Sequence, residues 1–214
     1  MRTALGARVS LLIALACAVI ATVLGTVVGA ISGSVGGRFD HVVMRIVDAV
    51  NAVPHLLLGI LIVAMYRGSL VAVVASIAAT HWTTVARIVR AEVLSLRTRP
   101  FVEAAISAGA SRWKVLRVHL LPAVVPQAAV AVTLLLPHAV FHETALSFLG
   151  LGLPAHLPSL GNMMNDARGD VLLGVWWTLA APTGALVVTT LAVAGVPGWW
   201  RDRLVPRRRT ELDL

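Results

Sequence analysis

The stretch RIVRAEVLSLRTRPFVEAAISAGASRWKVLRVHLLP, residues 87–122, decides how this chain is read. It holds Arg87, Arg90, Glu92, Arg97, Arg99, Glu103, Arg112, Lys114 and Arg117, whereas the sequence on either side is apolar enough for lipid. That density of charge places the stretch in water. Its local signals predict two short helices with a sharp joint. Pro100 suits a first helical turn, where its missing N–H goes unused, and Glu103 lies close enough to that N-terminus to favour the helix dipole. Gly109 stops the first helix in a left-handed conformation. Ser111 then caps a second helix to about Leu120, with Trp113, Leu116 and Leu120 on one apolar face. Pro122 marks the next boundary. Ala104, Ala105 and Ala108 leave the first helix so little bulk that another surface can approach its backbone, which is a docking shape.

Composition bounds the rest. With 58% hydrophobic residues over 214 and a mean hydropathy of +0.86, the chain is not an ordinary soluble domain. Runs nearly free of charge and near the roughly 20 residues a bilayer requires fall at about 9–31, 46–66, 68–86, 123–142 and 171–198. The fourth extends toward 149. The expected fold is an all-α polytopic membrane protein of five transmembrane helices, one domain over 1–214, with a helix-turn-helix loop at about 97–122. The net charge of +8 and the arginine run 207–209 raise nucleic acid as a partner. Placement of the charges argues for topology instead. With the central loop cytoplasmic, its basic residues fall inside together with Arg38, Arg45, Arg201, Arg203, Arg207, Arg208 and Arg209. Only Arg2, Arg8, Arg67 and Arg168 fall outside, an asymmetry that satisfies the positive-inside rule. Nucleic acid is therefore not an expected partner, and membrane lipid is. The single Cys17 cannot form an intramolecular disulfide.

Along the first span, Ala21, Gly25, Gly29 and Gly33 recur every fourth residue and predict a small helical face for close packing. The run 32–37 breaks this helix, and Asp40 is expected to cap the next. Arg45 and Asp48 lie three apart on one helical face and are expected to pair. Pro54 is expected to kink a span that also carries Asn51 and His55. Arg67 and Gly68 make a tight turn, Trp82 reads as an interfacial anchor, and Trp199 and Trp200 mark the last span's inner end. Residues 150–170 read as ordered turns.

His138 and His142, four apart with Glu143 adjacent, have metal-ligand spacing. A zinc protease places its Glu directly after the first His, and Ala139 stands there. A structural or pathway-lining role is the expected one for this trio, with metal ligation as the alternative. Lys114, the only lysine, lies between Trp113 and Val115, so the Gly-Lys-Ser/Thr of a P-loop is absent from the sequence and ATP hydrolysis is not expected here.

Glu103, Ala104, Ala105, Gly109 six residues after the Glu, Leu121 and Pro122 together resemble the EAA loop of the membrane subunits of binding-protein-dependent ABC importers. That family generally has Ile where this chain has His119, and its peptide and nickel branch often has His. Further stretches resemble the C-type permeases for dipeptides, oligopeptides and nickel: MetArgIleValAsp at 44–48, AlaArgIleValArgAlaGluValLeuSerLeu at 86–96, GluThrAlaLeuSerPheLeuGlyLeuGly at 143–152 and ProSerLeuGlyAsnMet at 158–163.

The resemblance implies a multi-pass protein of the bacterial inner membrane whose cytoplasmic EAA coupling loop fits a groove on a separate ATPase. It implies a homologous B-type permease, ABC ATPase subunits that carry the ATP and Mg, and an extracytoplasmic substrate-binding protein, with no cofactor on this subunit. C-type permeases usually begin inside with an additional first helix, which this chain is expected to lack, residues 5–15 resembling the external approach to the family's second helix. Peptide transport is the expected function. A nickel or metal-chelate importer, a stand-alone secondary transporter and a membrane metalloenzyme built on His138, His142 and Glu143 are its rivals.

Overall fold

The computed structural model describes the backbone of residues 2–204 and the side chains of residues 2–195. The tail arginines Arg207, Arg208 and Arg209 lie outside the described residues, as do the side chains of Trp199, Trp200, Arg201 and Arg203. Every regular element among the described residues is helical. Helix α1 (Arg2–Val35) is followed by α2 (Gly37–Ala52), α3 (His55–Met65), α4 (Leu70–Arg97), α5 (Pro100–Ser107) and α6 (Arg112–Val115). A π turn at Leu116–Leu120 leads without a break into α7 (Leu121–Phe148), and α8 (Leu160–Asp166), α9 (Arg168–Leu172) and α10 (Trp177–Leu204) complete the order. Four stretches are long and apolar enough to cross a membrane: α1, α4, the run 112–148, and α10 over Trp177–Gly195. The pair α2 and α3 makes a fifth if its two halves count as one span. The run expected over 171–198 is divided: α9 ends at Leu172, and Gly174 turns at φ +84° before α10 starts.

The glycine face of α1 lies along α4. A Cβ built on Gly25 would stand 2.5 Å from the Trp82 carbonyl oxygen and from Val85 Cβ, and one on Gly29 would collide with the Ala86 carbonyl. One on Gly33 would meet Val93 Cγ1 at 2.9 Å. Without side chains at these positions the two backbones come together, the way helices gain contact in lipid where no hydrophobic drive separates helix from solvent. Ala18, Ala21, Val85, Val89 and Val93 are buried in the resulting core. Trp82 is half-buried against this cluster, and α4 runs on past it to Arg97.

Polar residues near the start of α2 are organised differently from the sequence expectation. Asp40 is the fourth residue of α2, behind a Gly36 cap at φ 70° that makes no side-chain bond, so it is too far inside to cap the helix. It turns inward instead. Its carboxylate accepts from the Ser32 hydroxyl and the Arg90 Nε, both at 2.5 Å, and from Arg90 Nη2. Asp48 pairs with Arg87 at 2.6 Å rather than with Arg45, because α2 packs beside α4 and an arginine across that seam outreaches its own helical neighbour. Arg97 Nη1 donates to the Gly33 carbonyl at 2.8 Å. Three arginines of the charged stretch thus tie α4 to α1 and α2.

Pro54 does more than kink a span. Val53 is extended, the conformation a following proline imposes, and α2 and α3 meet at 83°.

Candidate functional site

Two places carry chemistry, joined by one helix. The first is the elbow formed by α5 and α6. Pro100 stands in the first turn of α5 with Glu103 beside it. The helix ends at Ala108; Gly109, at φ +84°, turns the chain, its N–H donating to the Ile106 carbonyl and that of Ala110 to the Ala105 carbonyl at 3.0 Å. The Ser111 hydroxyl accepts from the Lys114 N–H at 3.2 Å and starts α6. Val102, Val115, Leu116 and Leu120 are buried and fix the elbow to the helix core. Its outer surface presents Glu103, Ala104, Ala108, Gly109 and Pro122, while Ala105 and Leu121 are half-buried.

Trp113 departs from the expected face and is 59% exposed. The π turn explains this. Bonding from residue i to i+5, as from the Leu121 N–H to the Leu116 carbonyl, widens the turn and rotates Trp113 out of line with Leu116 and Leu120, whose buried face Val115 completes. The helix continues through the widened turn and past Pro122, so no boundary falls there and 112–148 runs without a break. The Arg117 guanidinium lies 5.6 Å from the Trp113 ring centre, within cation–π reach.

The second place is a cavity of about 370 Å³ between α3, α4 and α7, lined by His55, His81, His138 and His142 with apolar residues around them. The His81 ring centre is 5.3 Å from that of His55, 6.5 Å from His138 and 4.8 Å from His142. The sequence pattern brought out His138 and His142 but not their partners. His55 reaches them only because the chain breaks at Pro54, and His81 because α4 passes between. The signal that could have found them is cost: each ionisable side chain in an apolar span is expensive and seldom without a role.

Glu143 is not part of this group. It is fully buried and faces the opposite end of the bundle from the elbow, where Ser147 Oγ donates to it at 2.9 Å and Thr144 Oγ1 at 3.4 Å. Ser147 also accepts from the Leu153 N–H at 3.2 Å, and Ser10 accepts from the Leu160 N–H at 3.2 Å. Asn162 Nδ2 donates to the Pro154 and Leu157 carbonyls at 3.0 and 2.9 Å. Gly152 and Gly161 sit so tightly on Ser147 and Thr144 that neither has room for a side chain. Glu143 is thus the polar centre of a knot fastening the loop 150–163 onto α7 and α1. Among the described residues, no three of His, Cys, Asp and Glu are arranged to hold a metal ion, so the trio His138, His142 and Glu143 does not form a ligand set.

A family model described as "Binding-protein-dependent transport system inner membrane component" matches residues 25–210. The chain is 36% identical over 208 residues to the dipeptide transport system permease protein DppC of Bacillus subtilis, covering 97% of this chain and 65% of that protein. It is 38% identical over 209 residues to the oligopeptide transport system permease proteins OppC of Bacillus subtilis and Escherichia coli, covering 98% of this chain and 68% and 69% of theirs. The chain thus spans about two thirds of the length of these relatives. Among solved structures, one described as inward-facing conformations of the MetNI methionine ABC transporter superposes with a TM-score of 0.62 at 19% identity. That match covers 92% of this chain and 96% of the other, and the likeness is one of fold.

Proposed function

The chain belongs to the family of binding-protein-dependent transport system inner membrane components, multi-pass proteins of the bacterial inner membrane, and on that premise we propose that it is the C-type permease subunit of an ATP-driven peptide importer. The α5–α6 elbow carries this reading. A short helix and its turn, with Glu103, Ala104, Ala108 and Gly109 outward, offer a groove on a partner a close fit and one negative charge. Pro122 extends that surface, and the half-buried Ala105 and Leu121 support it from behind. In this reading the elbow is cytoplasmic and seats on a separate ATPase, which holds the ATP and Mg. A homologous B-type permease completes the pathway, and an extracytoplasmic binding protein delivers the substrate. The named substrates of the relatives, dipeptides and oligopeptides, make peptide the cargo.

Coupling follows from the continuity of the run 112–148. A displacement of the elbow passes through Val115, Leu116 and Leu120 into α7, which lines the histidine cavity, so nucleotide-driven closure of the ATPases shifts the balance between two arrangements of the spans. The test is to purify the complex carrying Gly109→Leu or Glu103→Arg. Gly109→Leu places a side chain at φ +84°, and Glu103→Arg reverses the outward charge. Both variants are expected to reach the membrane but to lose ATPase co-purification or substrate-stimulated hydrolysis. Undiminished stimulation in both would remove the elbow from the coupling path.

A further inference from the structure

We infer that the histidine-lined cavity is a binding subsite for an organic ammonium group carried on an apolar body, such as the free amino terminus of a peptide. His81 Nδ1 lies 2.9 Å from the Ile77 carbonyl and His138 Nδ1 lies 3.3 Å from the Leu134 carbonyl. A carbonyl only accepts, so both nitrogens donate. The neighbouring Thr80 hydroxyl is spent on the Ser76 and Ile77 carbonyls. His55 Nε2 lies 3.3 Å from Asn51 Oδ1, an oxygen that also accepts from Thr83 Oγ1 at 2.8 Å. A neutral imidazole has one donor nitrogen and one acceptor. Each of these three rings, its N–H committed to the protein, therefore keeps one nitrogen with a free lone pair.

The committed rings thus offer only acceptors within a mostly apolar wall, while Thr84 and His142, which also line it, can donate as well as accept. No Lys or Arg is among the described residues that line it, and no carboxylate either. A primary ammonium brings three N–H donors and the positive charge that unprotonated nitrogens favour. The apolar part of the wall, including Ile88, Leu134 and Leu135, takes the attached body, and the cavity falls within the range of about 300–1,000 Å³ typical of small-ligand sites. A carboxylate would find no cation here. A metal ion would find no converging ligand set among the described residues. That the subsite lies on a transport route rests on the permease reading above; the ammonium binding itself does not.

The test uses the whole importer in lipid nanodiscs, treated with diethyl pyrocarbonate, which acylates an imidazole through its unprotonated nitrogen, and read histidine by histidine by mass spectrometry. The probe is leucinamide, and the control is N-acetylleucinamide, identical but for the ammonium. Leucinamide is expected to slow modification of His138 and His142 at least about fivefold, with the exposed His41 and His156 unaffected and the acetylated control without effect. His138→Leu, at an exposed position, is expected to raise the leucinamide concentration needed to protect His142 about tenfold, the worth of one charge-assisted hydrogen bond. Equal protection by both probes, or by neither, overturns the proposal, as does protection by zinc chloride where leucinamide gives none. Dileucine uptake by reconstituted proteoliposomes judges the permease reading separately, since its failure would leave leucinamide protection intact.

Discussion

Helix α4 shows two unlike faces. Toward α1 it is closed against glycine so tightly that a single methyl at Gly29 has nowhere to go, and beside that seam its Arg90 is tied to Asp40 of α2. Toward α3 and α7 it opens on a cavity walled by imidazoles. The closed face makes α1 and α4 one unit. The open face, walled by α3 and α7, is not packed in that way. A transporter needs both, since a packed core has discrete arrangements rather than continuous give.

The contrast can be broken most directly at its tightest point. Gly29→Leu forces the two backbones apart and is expected to cost more than about 3 kcal/mol, at the upper end of overpacking penalties in a close-packed seam. Its partner control, Val28→Leu at a half-buried position, is expected to be mild. Yield and thermal unfolding of the purified complex read both, and equal tolerance would mean the glycine face does not pack on α4.

Next comes the polar tie. Arg90→Leu strands a carboxylate that is 5% exposed and is expected to cost about 3 kcal/mol, because removing one partner leaves the other charge buried and unpaired. The double variant Arg90→Leu with Asp40→Asn should recover part of that loss. No recovery in thermal unfolding would show that Arg90 acts through something other than Asp40.

Smaller effects are expected away from the seam. The Arg87–Asp48 pair has side chains 50% and 57% exposed, so Arg87→Leu is expected to cost under about 1 kcal/mol, with added salt erasing much of the difference. On the open face, Thr84→Leu projects into the cavity and is expected to change stability by no more than about 0.5 kcal/mol. A loss there comparable to that of Gly29→Leu would show that the cavity side is as tightly packed as the seam.

The features legible in the sequence were those that neighbouring residues settle among themselves. Hydropathy marked the apolar runs, because lipid demands length and the absence of charge. Pro100, Gly109 and Ser111 placed the elbow, since caps and left-handed turns are satisfied within a few residues. The four-residue spacing from Ala21 to Gly33 marked a packing face, because helical periodicity alone aligns those positions.

What only the tertiary structure decided was partnership at a distance. Asp40 stands where a cap was expected but takes Arg90, and Asp48 takes Arg87 over Arg45, since the energy of an ion pair depends on which helices come side by side. The π turn moved Trp113 outward by one extra residue in a turn that no local signal announced. Above all, four histidines scattered from 55 to 142 share a cavity only because Pro54 breaks a span by 83° and α4 runs between the pieces. Burial, and with it the chemistry of those rings, belongs to the assembled helices rather than to any one of them.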